Sequence, residues 1–249
     1  MTEVLRHGEQ VKLARTLGRG MDELAFVDAL HATELHALRE VISARLFDDA
    51  RPVLSRVATG SKLLPVSLVA RVGEKVFGAM LCARIAGLLS PHHALEIALR
   101  MPDAFLAQVS AMIDPRSAGE VVAAIPAPRI VAVAQVLVGA RDFVTMARFV
   151  DYLSAPTIKA VIDSISDELD LLHVAAYVES RAKLAELVGQ LTEERVHAML
   201  RALRTADAEA IRNALAVGEM LDDAWRYRLN DAVGRLASGD SDDVIRLGS

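Results

Sequence analysis

An apolar pattern recurs about every 25 residues in the middle of the chain, and this recurrence constrains the fold more than any other feature. Six seven-residue stretches share the pattern, and their first residues are separated by 29, 24, 25, 28 and 25 positions. The stretches are Ser67–Gly73, Glu96–Pro102, Glu120–Pro126, Thr145–Asp151, His173–Glu179 and Ala198–Arg204. Their second, third and sixth residues are apolar in every copy, and residues with this spacing share one face of a helix. Each stretch is therefore predicted to carry the buried face of a short helix.

A second short helix follows the first in four of the units. It is indicated by apolar residues at positions i, i+3 and i+7, with the first of these at Leu106, Ile130, Ile158 and Leu184. Pro102 and Pro126 are predicted to separate the paired helices, because the residue before a proline disfavours continued helix. Isolated helices of about ten residues are marginal in water, so the pairs must stack to persist. The pattern predicts an all-α fold in which short helix pairs are stacked into an α-solenoid.

Capping residues mark the junctions between the units. Ser90 and Asp114 each precede a proline, which is favoured at the first helical position because its missing N–H costs nothing there. Ser166 and Thr192 each precede an acidic residue, which interacts favourably with the helix dipole. These four residues are predicted to begin the first helix of their units.

The residues before the repeats, 1–60, are predicted to form an N-terminal helical cap that packs on the first repeat. Helices are expected over Thr2–Leu17 and Met21–Leu46, and another is expected to begin at Pro52. The best candidate for a joint between the cap and the repeats is Gly60–Pro65.

The repeat array is predicted to extend over residues 61–237. Its last part, Glu219–Leu236, is amphipathic and contains Trp225 and Tyr227. Residues 238–249 are rich in Gly, Ser and Asp, a composition that predicts a disordered tail.

The chain is unusually apolar, with 53% hydrophobic residues and a mean hydropathy of +0.30. Its longest stretches without Asp, Glu, Lys or Arg, however, are Ile85–Leu95 and Ile130–Ala140, of eleven residues each. A membrane-spanning helix needs about 20 such residues, so we expect no transmembrane segment. The first 19 residues carry several charges and no sustained apolar core, so we expect no secretory signal and a cytoplasmic location.

Charge and cysteine content exclude several classes of partner and site. The net charge of −5 gives no electrostatic reason to expect a nucleic acid or an anionic membrane as partner. The single cysteine, Cys82, excludes a disulfide framework and a cysteine-built zinc site. Cys82 lies in an Ala-rich helical segment, where a cysteine is usually an inert core residue.

Motifs for catalysis, metals or phosphates are not found. Adjacent histidines such as His92 and His93 point to different sides of a helix, and none of the seven histidines forms an HxxxH or HExxH spacing. No GxSxG, Walker-type or GxGxxG arrangement occurs. We therefore expect no enzyme activity, no catalytic residues, no metal site and no cofactor.

One repeat unit resembles a sequence unit of known proteins. The run Asp114–Pro126, DPRSAGEVVAAIP, and less closely Ser90–Pro102 resemble repeats in the cytoplasmic N-terminal domain of MgtE-type magnesium transporters and in the middle domain of the flagellar motor switch protein FliG. The resemblance covers residues 64–204, and its matching positions are caps, core residues and helix terminators. It implies a right-handed helical superhelix that binds other protein parts, and it transfers no functional residue.

Five residues are candidates for contacting a partner. Arg71 and Arg100 occupy the fifth position of their repeat stretches and Arg148 lies one place earlier in its own, so these arginines are a candidate basic row on one side of the array. Phe149 and Tyr177 occupy the fifth position in later units, where they indicate either an apolar recognition surface or the inner wall of a curved array. A solvated helix face is the alternative interpretation of the arginines.

The sequence predicts one function and leaves a second as the alternative. The first is a non-enzymatic module that binds a protein or peptide on the extended surface of the helical repeats. The second is a carrier of an apolar ligand such as a lipid or fatty acid, suggested by the apolar excess and by many small residues that leave room inside the array. We expect the protein to be a monomer or a weak homodimer.

Overall fold

The computed structural model describes residues 2–221 and Asp223, and all regular elements within these residues are helices. The all-α class predicted from the repeats is therefore confirmed. The α-helices are α1 (Thr2–Leu17), α2 (Ala32–Ser61), α3 (Val66–Val72), α4 (Gly78–Ala86), α5 (Pro91–Ala98), α6 (Asp103–Met112), α7 (Pro115–Ala124), α8 (Ala127–Gly139), α9 (Phe143–Phe149), α10 (Ala155–Ser164), α11 (Glu168–Ala176), α12 (Arg181–Gly189), α13 (Glu193–Leu203) and α14 (Ala208–Met220). Short 3₁₀ segments lie at Asp22–Val27 and Val150–Tyr152, and a π-helical turn at Gly73–Phe77 joins α3 to α4.

Helices of the repeat region contact the helix two places further along the chain. The odd-numbered helices α3, α5, α7, α9, α11 and α13 make one series of such contacts, and the even-numbered helices α4, α6, α8, α10 and α12 make another. Most residues of the predicted apolar columns lie between these two rows of helices, as Ile97, Ile158 and Leu184 illustrate, each at most 6% exposed. Leu68 of α3 is an exception at 43% exposure, and no residue of α13 is buried. Each short helix is thus held by its neighbours rather than by its own length.

The predicted helix starts are confirmed at Ser90, Asp114 and Thr192, and the start predicted at Ser166 is corrected by one residue. The side chains of Asp114 and Thr192 accept hydrogen bonds from backbone N–H groups at the starts of α7 and α13. At α11 the cap is Asp167, one residue after the predicted Ser166, and its carboxylate accepts from the N–H of Leu169 at 2.8 Å. Ser90 precedes α5 as predicted, but its side chain accepts no capping bond.

The N-terminal region differs from its prediction after α1. Helix α1 has the predicted bounds, whereas Met21–Leu46 is not one helix, because a 3₁₀ segment precedes α2. Helix α2 begins after His31, whose backbone N–H donates to the Glu34 side chain at 2.8 Å. It continues through the exposed Pro52 instead of beginning there, since Leu54 and Ala58 are buried against Ile85 of α4 and hold the second half of the helix in line.

The two N-terminal helices contact different parts of the repeat region. Helix α2 packs on α4 near the first repeat, as expected of a cap, but α1 contacts α6, α9 and α14. Ion pairs also join α1 to the repeats: Arg15 Nη2 lies 2.7 Å from Asp142 Oδ1 before α9, and Lys12 Nζ lies 2.5 Å from Glu179 Oε1 after α11. The N-terminal region is therefore not confined to the first repeat.

The turn after α2, at residues 62–65, lies within the predicted joint Gly60–Pro65. Among the described residues, none of the helices has the length and apolar character needed to cross a membrane. Trp225, Tyr227, most of Glu219–Leu236 and the predicted tail 238–249 lie outside the described residues.

Candidate functional site

An apolar cavity of about 200 Å³ lies between the two rows of helices. Its walls come from every helix between α2 and α12, so it is elongated along the repeats. The residues of the repeat columns line it, among them Ile97, Val121, Met146 and Val174 of the first helices and Leu106, Ile130 and Ile158 of the second helices. The most exposed residue of the wall is Phe77, at 37%.

The walls carry few polar groups, and these are mostly occupied. Among the lining residues only Ser61 and Ser110 have hydroxyl groups, and each hydroxyl donates to a carbonyl of its own helix, to Ala58 at 2.7 Å and to Leu106 at 2.9 Å. Cys82 also lines the cavity, and burial raises the pKa of its thiol to about 11. The thiol is therefore protonated at neutral pH and is not a nucleophile.

Side chains that line unfilled apolar space lose contacts with partner atoms. The space between the rows is partly open to the surface, so a guest can enter it without unfolding of the protein. An apolar guest would gain both the dispersion contacts and the transfer free energy.

Polar groups meet the cavity at Ser61, near the first turn of α5. Ser61 is 9% exposed, and its Oγ lies 3.4 Å from Nε2 of His93. On the other edge of the imidazole ring, Nδ1 of His93 lies 3.8 Å from Oε2 of Glu96. No local sequence signal indicates this group, because Ser61 and His93 are 32 residues apart and belong to different helices.

The five predicted contact residues do not share one surface. Arg71 and Arg100 are exposed, as a basic row requires, whereas Phe149 is 9% exposed and belongs to the cavity wall. Tyr177 is half-buried beside Gly8 of α1, and burial raises the pKa of its hydroxyl group. Arg148 is half-buried and its guanidinium donates to backbone carbonyls, so the predicted row of exposed arginines does not include it.

Arg148 has a structural role that the sequence did not indicate. Its guanidinium donates to the carbonyls of Ala111 and Ile113, at 3.3 and 2.8 Å, where α6 ends. Burial, together with the nearby charge of Arg39, lowers the pKa of Arg148 to about 10. Arg195 repeats this arrangement at the end of α10, where it donates to the carbonyls of Ile162 and Ile165.

A charged network joins α1, α2 and the repeats. The carboxylate of Glu9 pairs with Lys12 at 2.7 Å and with Arg39 at 3.0 Å, and Lys12 also reaches Glu179. Burial opposes ionisation of Glu9, but Lys12 and Arg39 outweigh it and lower the pKa of the carboxyl group. Since these charged groups pair with one another, we interpret the network as a contact between helices rather than as a binding site.

No group of three or more His, Cys, Asp or Glu residues is placed to hold a metal ion in the described part of the chain. Comparison with protein-family models, with curated proteins and with solved structures finds no match to this chain.

Proposed function

We propose that this protein binds an apolar ligand in the cavity between its two rows of helices. The observation that carries the proposal is the combination of volume and lining: about 200 Å³ bounded almost wholly by aliphatic side chains. Since the walls extend over many helices, a flexible hydrocarbon chain fits this space better than a compact ring. Of the two functions suggested by the sequence, the carrier is thus favoured over the protein-binding module.

The stacking of the helix pairs explains how such a cavity arises. We propose that the repeats form a right-handed superhelical solenoid, as the resemblance of Asp114–Pro126 to the MgtE and FliG repeats implies. Contacts between each helix and the one two places along support a continuous stack. Small side chains on the facing rows, such as Ala98 and Ala134, leave unfilled space where larger residues would meet.

Native mass spectrometry of the protein purified from cells tests the proposal. We expect the spectrum to show an apolar molecule bound in stoichiometric amount. If organic extraction first removes this molecule, the protein should bind added 1-hexadecanol, and titration calorimetry measures that affinity. Ala98→Phe places a ring in the cavity and should abolish binding. Its matched control is Ala104→Phe on the exposed face of α6, which should bind as the wild type does.

Two results would contradict this proposal. One is a protein that arrives empty and binds no hydrocarbon chain in either assay. The other is equal binding by the wild type and by a folded Ala98→Phe variant, because the ligand would then lie outside the cavity. Circular dichroism and thermal unfolding establish that each variant is folded.

A protein partner is the second candidate, and one observation favours it. Large apolar side chains are exposed where α2 ends and around the π-helical turn, including Leu63 at 86% and Val76 at 72%. Exposed apolar surface of this kind is typical of interaction sites. Val76→Glu should abolish capture of such a partner, whereas Arg71→Glu should abolish it only if the basic side of the array takes part.

A further inference from the structure

We propose that the apolar ligand is a long-chain carboxylic acid whose carboxyl group binds between Ser61 and His93. This inference rests on the proposed function, because it assigns the head group of a molecule whose hydrocarbon chain fills the cavity. It starts from the asymmetry of the walls. Of the two hydroxyl groups in the lining, that of Ser110 donates to a backbone carbonyl of its own helix and has no side-chain partner among the described residues, whereas Ser61 faces the imidazole of His93.

The contact between Ser61 and His93 is weak enough for a ligand to replace. The hydroxyl of Ser61 donates to the carbonyl of Ala58 at 2.7 Å, so toward His93 its oxygen can act only as an acceptor, from an imidazole that carries its proton on Nε2. A separation of 3.4 Å is longer than an ordinary N–H···O hydrogen bond. A carboxylate oxygen accepting from the Nε2–H group at about 2.8 Å would form a shorter, charge-assisted bond.

The carboxyl group has two oxygens, and the site offers a donor for each. The Ser61 hydroxyl is a rotor, and by turning away from Ala58 it can donate to the second carboxylate oxygen. Glu96 does not compete, because it lies beyond the opposite edge of the ring, 3.8 Å from Nδ1. The imidazole of His93 would thus lie between the carboxylate of the ligand and that of Glu96.

The surroundings favour an acid over an alcohol. Helix α5 begins at Pro91 without a side-chain cap, and the backbone N–H groups of His92 and His93 have no acceptor in the described part of the chain. Their partial positive charge is close to the His93 ring and adds to the attraction for an anion. Ala94 and Ile97 of the same helix line the cavity, so the polar end and the apolar wall are continuous.

Titration calorimetry with hexadecanoic acid and with 1-hexadecanol tests the inference, on protein from which organic extraction has removed any bound ligand. Because a hydrogen bond to a charged group is stronger than one between neutral groups, we expect the acid to bind about 10-fold more tightly than the alcohol. His93→Phe keeps a ring but loses the donor, and it should weaken acid binding more than alcohol binding, so that the preference for the acid is lost. Ser61→Ala should weaken acid binding in the same direction.

His92→Phe is the matched control, because His92 is adjacent in sequence but its side chain is 84% exposed. It should bind both ligands as the wild type does. Equal affinity of the wild type for acid and alcohol would overturn the assignment of the head group while the apolar site stands. Binding of neither ligand would overturn the proposed function itself. The comparison of acid and alcohol on the wild type decides the question even where a variant fails to fold.

Discussion

Filling the cavity from within should stabilise the protein, and the replacement of Ala134 by leucine measures this directly. Ala134 lies on α8, is 6% exposed and lines the cavity. Leucine adds three carbon atoms, and each buried methylene contributes about 0.8 kcal/mol. If the cavity accepts these atoms without rearrangement, Ala134→Leu should raise the free energy of unfolding by about 2 kcal/mol.

The control is Ala176→Leu, in the same hydrophobic cluster but away from the cavity. Ala176 is 1% exposed and is not among the lining residues. Extra atoms at a fully packed position usually cost about 1–3 kcal/mol, so the two substitutions should change stability in opposite directions.

Urea unfolding followed by circular dichroism provides the measurement, on protein shown by native mass spectrometry to carry no ligand. With a slope of about 2 kcal/mol per molar urea, the midpoint of Ala134→Leu should rise by about 1 M. The same variant should bind hexadecanol less tightly than the wild type, because the leucine occupies part of the ligand's volume. A midpoint lowered as far as that of Ala176→Leu would show that no usable space lies beside Ala134 and would refute the reasoning.

Three further predictions concern groups outside the cavity. Arg148→Met should lower the free energy of unfolding by about 1–3 kcal/mol, since the carbonyls at the end of α6 lose their donor; in the same urea assay, the exposed Arg71→Met should change it by less than about 0.5 kcal/mol. The ion pairs of Glu9 lower its pKa below the usual 4.5, so their contribution to the free energy of unfolding is present above pH 4.5 and is lost as the pH falls through the lowered value. Glu9→Gln should therefore flatten this part of a plot of urea midpoint against pH. An unchanged slope would contradict the assignment. Gly119→Ala should lower the melting temperature, because a Cβ there would lie 2.5 Å from the ring of Tyr152; combining it with Tyr152→Leu should restore part of the loss, and strictly additive effects would argue against the contact.

The helical class and most of the helix positions follow from local sequence. Helix α1 has the predicted bounds, and the proline and capping signals at Asp114 and Thr192 mark real helix starts. These signals are reliable because they act within one helical turn, through backbone N–H groups and the missing N–H of proline. Where two candidates were adjacent, as at Ser166 and Asp167, the local pattern did not distinguish them.

Predictions that required a long-range contact were less successful. The local sequence predicts a helix start at Pro52. In the structure, Pro52 lies inside α2, because Leu54 and Ala58 are buried against α4. The local sequence indicates a surface charge at Arg148, yet its half-buried guanidinium donates to the carbonyl groups at the end of α6. In each case a neighbour distant in sequence overrides the local preference.

From its sequence alone, the chain is determined to be helical and to place one apolar column on each helix of a repeated pair, because periodicity and caps are local properties. Whether the apolar columns of the two rows of helices pack closely or leave a space depends on the distance between the rows. The periodicity of a sequence does not determine this distance. Tertiary structure decided that small residues such as Ala98 and Ala134 face a cavity, and that Ser61 reaches His93 across two helices. The physical reason is that packing and side-chain pairing are set by three-dimensional separations, and residues far apart in the chain contribute to them equally with neighbours.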